Sequence, residues 1–320
     1  MRTIPLSVLV AVTFLPTTAY CQFKAEVDPK APKLQTGLTQ RLQVGVKVTA
    51  VGGPCKGIVA TVPVPLEWPE QQLKIVNEEL TPTVKPVKYR VTGGLRQMLI
   101  EIPQLPAGQE AKAVITFEVY RSSSVPPENT STYMTPKKID RDLVIYTGAS
   151  PYIETRHAKI MSLAKEITAG KATAWSEVEA IYDWVRSNVQ HKSGALKGAA
   201  RAMQDGEGGI DDIVSLFIAL CRAHKVPTRS VFVPGSVYAE FYLLDDEGRG
   251  HWFACQVVGA RSFGGIAEQR PILQKGDNFR DPDRPGETLR LVNEHLKGAA
   301  VKGGGQPKVR FIREVAGGGV

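Results

Sequence analysis

Two hydrophobic periods divide the chain, and the first of them covers the region before residue 149. There apolar and polar side chains alternate, with Leu42, Val44 and Val46 separated by polar neighbours, and the stretch 111–119 repeats the pattern. Such alternation predicts strands with one buried face. Further strand candidates, set apart by Pro- and Gly-rich turns, are 58–62, 73–76, 87–91 and 98–102. Short strands without a helical period predict an antiparallel β-sandwich domain over 22–148.

From residue 150 the period becomes that of a helix. Apolar residues recur three and four positions apart, which predicts helices that bury one face. The two stripes consist of Ile160, Leu163, Ala164 and Ile167, and of Val178, Ile181, Trp184, Val185 and Val189. We therefore assign residues 149–320 to a second domain.

A third helix is predicted inside the stretch GEGGIDDIVSLFIALCRAHKVPTR, residues 206–229. Asp211 and Asp212 stand where carboxylates can accept the free N–H groups of a first helical turn. A core-facing stripe follows, formed by Ile213, Leu216, Phe217, Leu220 and Cys221. Strands are predicted at 228–233, 237–244 and 252–257, and a last one at 308–314 that would complete or extend their sheet. The second domain is thus α+β.

The amino terminus has the pattern of a signal peptide over residues 1–21. Arg2 precedes an apolar run from residue 4 to 15, and small residues follow. The run is too short to span a bilayer, so no transmembrane segment is expected in the mature chain. Cleavage after Ala19 and cleavage after Cys21 both fit. The pattern predicts a secreted or periplasmic protein.

Composition and charge narrow the function classes only slightly. The 320 residues are 42% hydrophobic and 22% charged, as in ordinary globular proteins. The formal charge of +8 comes from scattered Lys and Arg residues without a basic run interleaved with aromatics, so we expect no nucleic-acid partner. Cleavage after Cys21 would leave Cys55, Cys221 and Cys255, an odd number. Buried free thiols are expected, with a Cys221–Cys255 disulfide as the alternative.

The stretch around residue 210 resembles the central motif of the transglutaminase-like superfamily, which also holds papain-like peptidases. The family loop G-x-G-x-C-x-D opens a helix whose first residue is the nucleophilic cysteine. Here Gly206, Gly208, the two aspartates, the run S-L-F-x-A-L-C-R-A and V-P-x-R match, and the ordered likeness extends over 150–256. The resemblance implies a papain-like core. Its thiolate, histidine and aspartate chemistry uses side chains alone, so we expect no cofactor.

The three catalytic positions of that motif hold other residues here. The nucleophile position is Ile210, the histidine position is Ser236, and the aspartate position is Gln256. Shifting the alignment of this sequence to the motif by a few residues does not bring a Cys, His or Asp to any of the three positions. No Cys lies within 56–220, no His within 225–250, and no Asp within 247–276.

Substitutes for the missing groups are weak on sequence grounds. Cys221 lies three turns into the helix on its apolar face, and Cys255 should face away from Gln256. His251 is the best remaining base, whereas His224 fits a helix cap. Asp211 and Asp212 lack the further ligands that a metal would need, so no metal site is expected.

We therefore predict a catalytically inactive protein that binds a polypeptide or cell-envelope ligand in the former acyl cleft. Two alternatives stay open: an active peptidase, amidase or acyltransferase with relocated residues such as His251 and Ser236, and a structural envelope component. The expected cleft residues are Gly208, Gly209, Asp211, Asp212, Tyr238 and Trp252.

Overall fold

The computed structural model describes residues 28–300 and 305–316. The predicted signal peptide, residues 1–21, lies outside the described residues and stays a prediction. The part before residue 126 is rich in strands, as the alternation predicts. Its strands are β1 (Lys33–Val51), β2 (Cys55–Val64), β3 (Gln71–Leu80), β4 (Lys88–Thr92), β5 (Leu95–Leu105) and β6 (Glu110–Val125).

Helices and short strands alternate in the part that follows. A 3-10 turn at Val144–Tyr146 leads into α1 (Ala158–Thr168), α2 (Ala174–Asn188), β7 (Gln190–His191), α3 (Ala199–Asp205), β8 (Glu207–Gly208) and α4 (Ile210–Ala223). The remaining strands are β9 (Thr228–Val233), β10 (Ser236–Leu244), β11 (Gly250–Gln256), β12 (Ser262–Phe263), β13 (Gln274–Lys275), β14 (Phe279–Arg280), β15 (Thr288–Leu289), β16 (His295–Ala300) and β17 (Gln306–Ala316). The sequence pattern missed α3, because seven residues are too few for a helical stripe to show.

Two four-stranded antiparallel sheets form the strand-rich part, in the orders β17-β1-β6-β3 and β16-β2-β5-β4. The alternating positions of β1 and β6 meet across the ladder, with Val44 opposite Ile115 and Leu42 opposite Phe117. These residues are fully buried and share one apolar core with the inward residues of β2 and β5. Period-2 patterning therefore identified the buried face correctly.

The two C-terminal strands do not join the sheet that follows α4. Instead β17 pairs with β1 over Arg41–Val51, and β16 pairs with β2. The expectation that residues 308–314 extend the second sheet is therefore wrong, because the open edges of the first two sheets receive these strands. By pairing, residues 295–300 and 306–316 belong with the N-terminal strands, although the predicted boundary at 148/149 itself stays a prediction.

Helix α4 lies at the centre of the second part. It packs against β9 and β10 of a five-stranded antiparallel sheet ordered β12-β11-β10-β9-β13, while α1, α2 and α3 cover its other sides. Its predicted stripe is buried throughout, and so are Val214, Ile218 and Arg222 on the remaining faces. No helix among the described residues is long and apolar enough to cross a membrane.

Candidate functional site

The loop into α4 is shaped by glycines at two points. Gly206 ends α3 in the left-handed conformation, φ 66°, and its N–H donates to the carbonyl of Ala202. Gly208 then lies in β8, beside β7. A Cβ on Gly208 would come within 2.9 Å of the Asp212 Cβ, so the close approach of the loop to the helix requires glycine there.

The two aspartates at the start of α4 serve structure in different ways. Asp212 is buried, and its carboxylate accepts the N–H groups of Lys197 and Gly198 at 2.8 Å and of Gly209 at 3.1 Å. All these contacts hold the loops to the helix start, so Asp212 does not line a cleft. Asp211 is half-exposed and forms an ion pair with Arg290. It lies at the surface, and it too lines none of the cavities described below.

Helix α4 begins at Ile210, and the other two positions of the expected triad come to the same place. Ile210, Ser236 and Gln256 all line one pocket of about 50 Å³. The register of β10 against β11, with Ala239 opposite Cys255, puts the side chains of Ser236, Tyr238 and Gln256 on one face of the sheet. The pocket is otherwise walled by Val233, Val237, Tyr238, Val258, Ile266 and Glu268. Its volume is small, and its lining combines apolar and polar side chains.

The three cysteines among residues 28–300 and 305–316 lie away from this pocket. Cys221 and Cys255 are fully buried in the core between α4 and the sheet, and Cys55 is buried between the N-terminal sheets. All three are free thiols, so the alternative of a Cys221–Cys255 disulfide is wrong. Burial raises the pKa of both the Cys221 and Cys255 thiols well above the ordinary value. Neither thiol is accessible as a nucleophile.

His251, the proposed substitute base, is far from Ser236. It is the second residue of β11 and lies opposite Leu243, which is seven residues along β10 from Ser236. At about 3.3 Å per strand residue the two positions are roughly 23 Å apart. His251 is instead paired with the buried Asp245, with 3.0 Å between His251 Nε2 and the Asp245 carboxylate. A relocated pair made of Ser236 and His251 is therefore excluded.

Asp28, Asp245 and His251 bring ligand atoms within 4.8 Å of one another, which raises the question of a metal. Arg249 already takes this place: its guanidinium lies 3.0 Å from Asp245 and 3.4 Å from Asp28. Burial alone would raise the pKa of Asp245, but hydrogen bonds from His251 and Arg249 outweigh it and hold the pKa below its ordinary value. The cluster is an ion-pair network in which the positive charge of Arg249 would repel a bound metal cation. The expectation that the protein binds no metal or cofactor stays a prediction.

A much larger cavity, about 770 Å³, opens on the same face of the sheet as the small pocket. It separates the N-terminal strands from β9, β10 and β11, and we call it the interdomain cleft. Trp252 is the one predicted cleft residue that lines this cavity. Tyr238 lines the small pocket, and its hydroxyl accepts a hydrogen bond at 3.0 Å from Arg121, which lines the cleft. The two cavities are therefore neighbours. The principal lining residues are Trp68, Arg121, Arg229, Glu240, Trp252 and Lys275.

Most of these cleft residues were missed from the sequence. A signal existed for two of them. Arg229 and Glu240 are charged residues inside largely buried strands, and a buried charge is informative because burial without a partner is costly. Trp68, Arg121 and Lys275 come from distant segments, and no local pattern connects them.

Comparison with known proteins gives the family of the central part. Residues 161–257 match the model of the "Transglutaminase-like superfamily". A solved structure described as "a Putative Cysteine Protease from Cytophaga hutchinsonii" is similar over 90% of this chain and 94% of that one, at 17% identity and a TM-score of 0.56. A second, "a putative protease from Parabacteroides distasonis ATCC 8503", covers 65% of this chain and 47% of that one, at 9% identity and a TM-score of 0.28. A search of the curated proteins gave no match.

The first structural likeness shows the fold alone, and no argument rests on the second. The family match falls on the segment that the glycine loop, the α4 stripe and V-P-x-R indicated, so the family assignment made from these motifs is confirmed. Residues 161–257 of this chain are a domain of the transglutaminase-like superfamily.

Proposed function

We propose that this protein is a transglutaminase-like pseudoenzyme that binds a polypeptide or cell-envelope ligand. In this proposal it is secreted or periplasmic, and it consists of a β-sandwich over 22–148, joined by the returning C-terminal strands, and a transglutaminase-like domain. The observation that carries the proposal is the pocket shared by Ile210, Ser236 and Gln256. Isoleucine at the helix start offers no lone pair for attack on an acyl carbon.

The lack of a usable thiol supports the same conclusion. Removing the nucleophile of a catalytic triad costs about a million-fold in rate, and removing the partners as well adds little. The described cysteines are all buried, and the pKa values of Cys221 and Cys255 are raised, whereas a catalytic cysteine needs an accessible thiolate. Acyl transfer through a thiol therefore has no nucleophile in the described part of the chain.

The size of the two cavities favours the interdomain cleft as the binding site. The small pocket of about 50 Å³ has room for a few water molecules, whereas small-molecule and peptide subsites measure about 300–1,000 Å³. The cleft of about 770 Å³ lies within that range and is bordered by two tryptophans. We place the ligand there, next to the former acyl position instead of in it.

We expect the native protein to resist thiol-directed reagents at neutral pH. The measurement is labelling of the mature protein by iodoacetamide, followed by mass spectrometry, with a denatured sample as the control. Cys55, Cys221 and Cys255 should stay unmodified in the native state and become alkylated after unfolding. Rapid labelling of one cysteine in the folded protein would contradict the proposal and favour an active thiol enzyme.

Ligand binding is expected to depend on Trp252 and to leave the ligand intact. Peptides from a random library that bind the mature protein should bind Trp252→Ala at least tenfold more weakly, because a buried aromatic contact is often worth about 2 kcal/mol or more. Trp184→Ala is the matched control, since Trp184 is also a half-buried tryptophan but lies on α2, outside the cleft.

Calorimetry measures the affinities, and mass spectrometry of the recovered peptides tests for turnover. Cleaved or cross-linked peptides would show that the protein is an enzyme. A library without any binder, or binders unaffected by Trp252→Ala, would refute ligand binding in the cleft.

A further inference from the structure

The cleft has aromatic walls with cations lying against them. The Arg229 guanidinium lies 3.9 Å from the centre of the Trp252 ring and 5.7 Å from that of Trp68, and the Lys275 ammonium lies 4.8 Å from the Trp68 ring. Pro69, Ala254 and Ile266 add apolar surface to the lining. Such walls suit a ligand with an apolar or aromatic body.

Four of the charged residues in the cleft compensate one another. Lys275 donates to Glu70 and to Glu240 at 2.6 Å each, and Arg229 donates to Glu240 at 2.8 Å. Two cations thus face two carboxylates. At the far end of the cleft Arg249 lies 3.4 Å from the Asp28 carboxylate and 3.0 Å from the Asp245 carboxylate, and His251 Nε2 also lies 3.0 Å from Asp245. Arg249 therefore has its carboxylate partners within the protein.

Arg121 is the exception. It lines the cleft, is only 1% exposed, and forms no ion pair with any carboxylate of the described residues. Its Nη1 donates to the Ser122 carbonyl at 2.5 Å and to the Glu70 carbonyl at 3.5 Å, and its Nη2 donates to the Tyr238 hydroxyl at 3.0 Å. Its Nε has no hydrogen-bond partner.

Glu268 is an acidic residue near Arg121, but its carboxylate is bound by another arginine. Burial alone would raise the pKa of Glu268, whereas hydrogen bonds from Arg270 and the charges of Arg270 and Arg121 outweigh burial and lower it. Arg270 Nε lies 2.9 and 3.0 Å from the two carboxylate oxygens of Glu268. Burying a guanidinium without a carboxylate partner is costly. The lining of the cleft therefore contains one guanidinium without an ion pair, and the Nε–H of that guanidinium has no hydrogen-bond partner.

We infer that the interdomain cleft binds the free C-terminal carboxylate of a peptide, with Arg121 pairing with that carboxylate and the terminal side chain lying along the aromatic and apolar wall of the cleft. The inference rests on the proposed binding function and names its ligand class. A single uncompensated cation matches a carboxylate monoanion, and the planar guanidinium suits a carboxylate in geometry. The aromatic walls favour an organic acid over a bare inorganic anion.

The test compares two probes, N-acetyl-Ala-Ala-Phe as the free acid and as the C-terminal amide. Calorimetry should show that the acid binds at least tenfold more tightly than the amide to the wild-type protein. Arg121→Gln should bind both probes with the affinity of the amide. Arg96→Gln is the matched control, because Arg96 is a half-buried arginine on β5 outside the cleft, and it should keep the wild-type preference.

Should Arg121→Gln fail to fold, the wild-type comparison still decides the matter. In protein with ¹⁵N-labelled arginine, the acid but not the amide should shift an arginine Nε–H resonance of a buried side chain. Equal affinity for acid and amide would overturn the inference, as would a preference that survives Arg121→Gln. Inorganic phosphate that competes as strongly as the acid would also overturn it, by showing an unselective anion site.

These outcomes separate the inference from the proposed function. Library peptides that bind through Trp252 without any preference for a free carboxylate would end the inference and leave the proposed function standing. Turnover of either probe would instead end the proposed function.

Discussion

Replacing Asp277 with alanine is expected to lower the free energy of unfolding by about 3–5 kcal/mol, the cost of leaving a buried charge without its partner. The partner is Arg222 on α4, whose Nη2 donates to both carboxylate oxygens of Asp277 at 2.8 Å. Both side chains are 0% exposed. Water cannot compensate the guanidinium once the carboxylate is removed.

Several segments depend on Asp277 at once. Its carboxylate also accepts hydrogen bonds from the Ser150 hydroxyl at 2.7 Å and from the Ser230 N–H at 3.1 Å. Arg222 in turn donates to the Thr228 carbonyl at 2.6 Å. The end of α4, the start of β9 and the loop at residue 150 are thereby held together. We therefore expect the removal of Asp277 to weaken all three segments at once.

Urea denaturation followed by circular dichroism measures this loss. Asp205→Ala is the control, because Asp205 pairs with Lys197 and Arg201 at the surface of α3, where exposed ion pairs are worth about 0–1 kcal/mol. Similar losses for the two variants would show that the buried pair has no special role.

Glu240→Gln is the second change from which we expect a large effect, and its size should depend on pH. Burial alone would raise the pKa of Glu240, but Lys275 and Arg229 outweigh burial and lower it to about 2. The variant leaves Arg229 without its carboxylate and Lys275 with Glu70 alone. At neutral pH we expect a loss in unfolding free energy of about 3 kcal/mol, as for other broken buried pairs.

The sign of the pH dependence follows from the lowered pKa. In the unfolded chain the carboxyl takes up its proton near the ordinary value of 4.5, and in the folded protein only near 2. The unfolded state therefore binds more protons in this window, and the contribution of Glu240 is present above pH 4.5 and is lost as the pH falls towards 2. The difference between wild type and Glu240→Gln should shrink over the same window.

Denaturation curves at a series of pH values test this second prediction. Glu78→Gln, an exposed position on β3, should run parallel to the wild type at every pH. A constant gap between wild type and Glu240→Gln from neutral pH down to pH 2 would show that Glu240 does not titrate as its surroundings require.

Local pattern identified most elements of this protein. The strand at Thr228–Val233 has the predicted bounds, and the stripe on α4 is buried as expected. The glycine loop, the stripe and V-P-x-R also led to the confirmed superfamily. These features are determined locally, because residue spacing sets which side chains share a face of a helix or strand.

The pairing of strands that lie far apart in the chain could not be predicted from local sequence pattern. The alternation in β17 predicts a strand but does not identify its partner, since any strand with an open edge offers the same backbone hydrogen bonds. In the folded protein β1, more than 250 residues earlier in the chain, provides that edge. The wrong assignment of residues 308–314 has this cause.

For the candidate site, too, the sequence determined some features and only the tertiary structure determined others. By itself the sequence established that no cysteine stands at the start of α4, because residue identity at Ile210 needs no coordinates. Only the tertiary structure brought Trp68, Arg121, Arg229, Glu240 and Lys275 around one cleft and left Arg121 without a carboxylate. Whether a charged side chain has a partner depends on the distance between the two charges. For residues far apart in the chain, that distance is set only when their segments pack together in the fold.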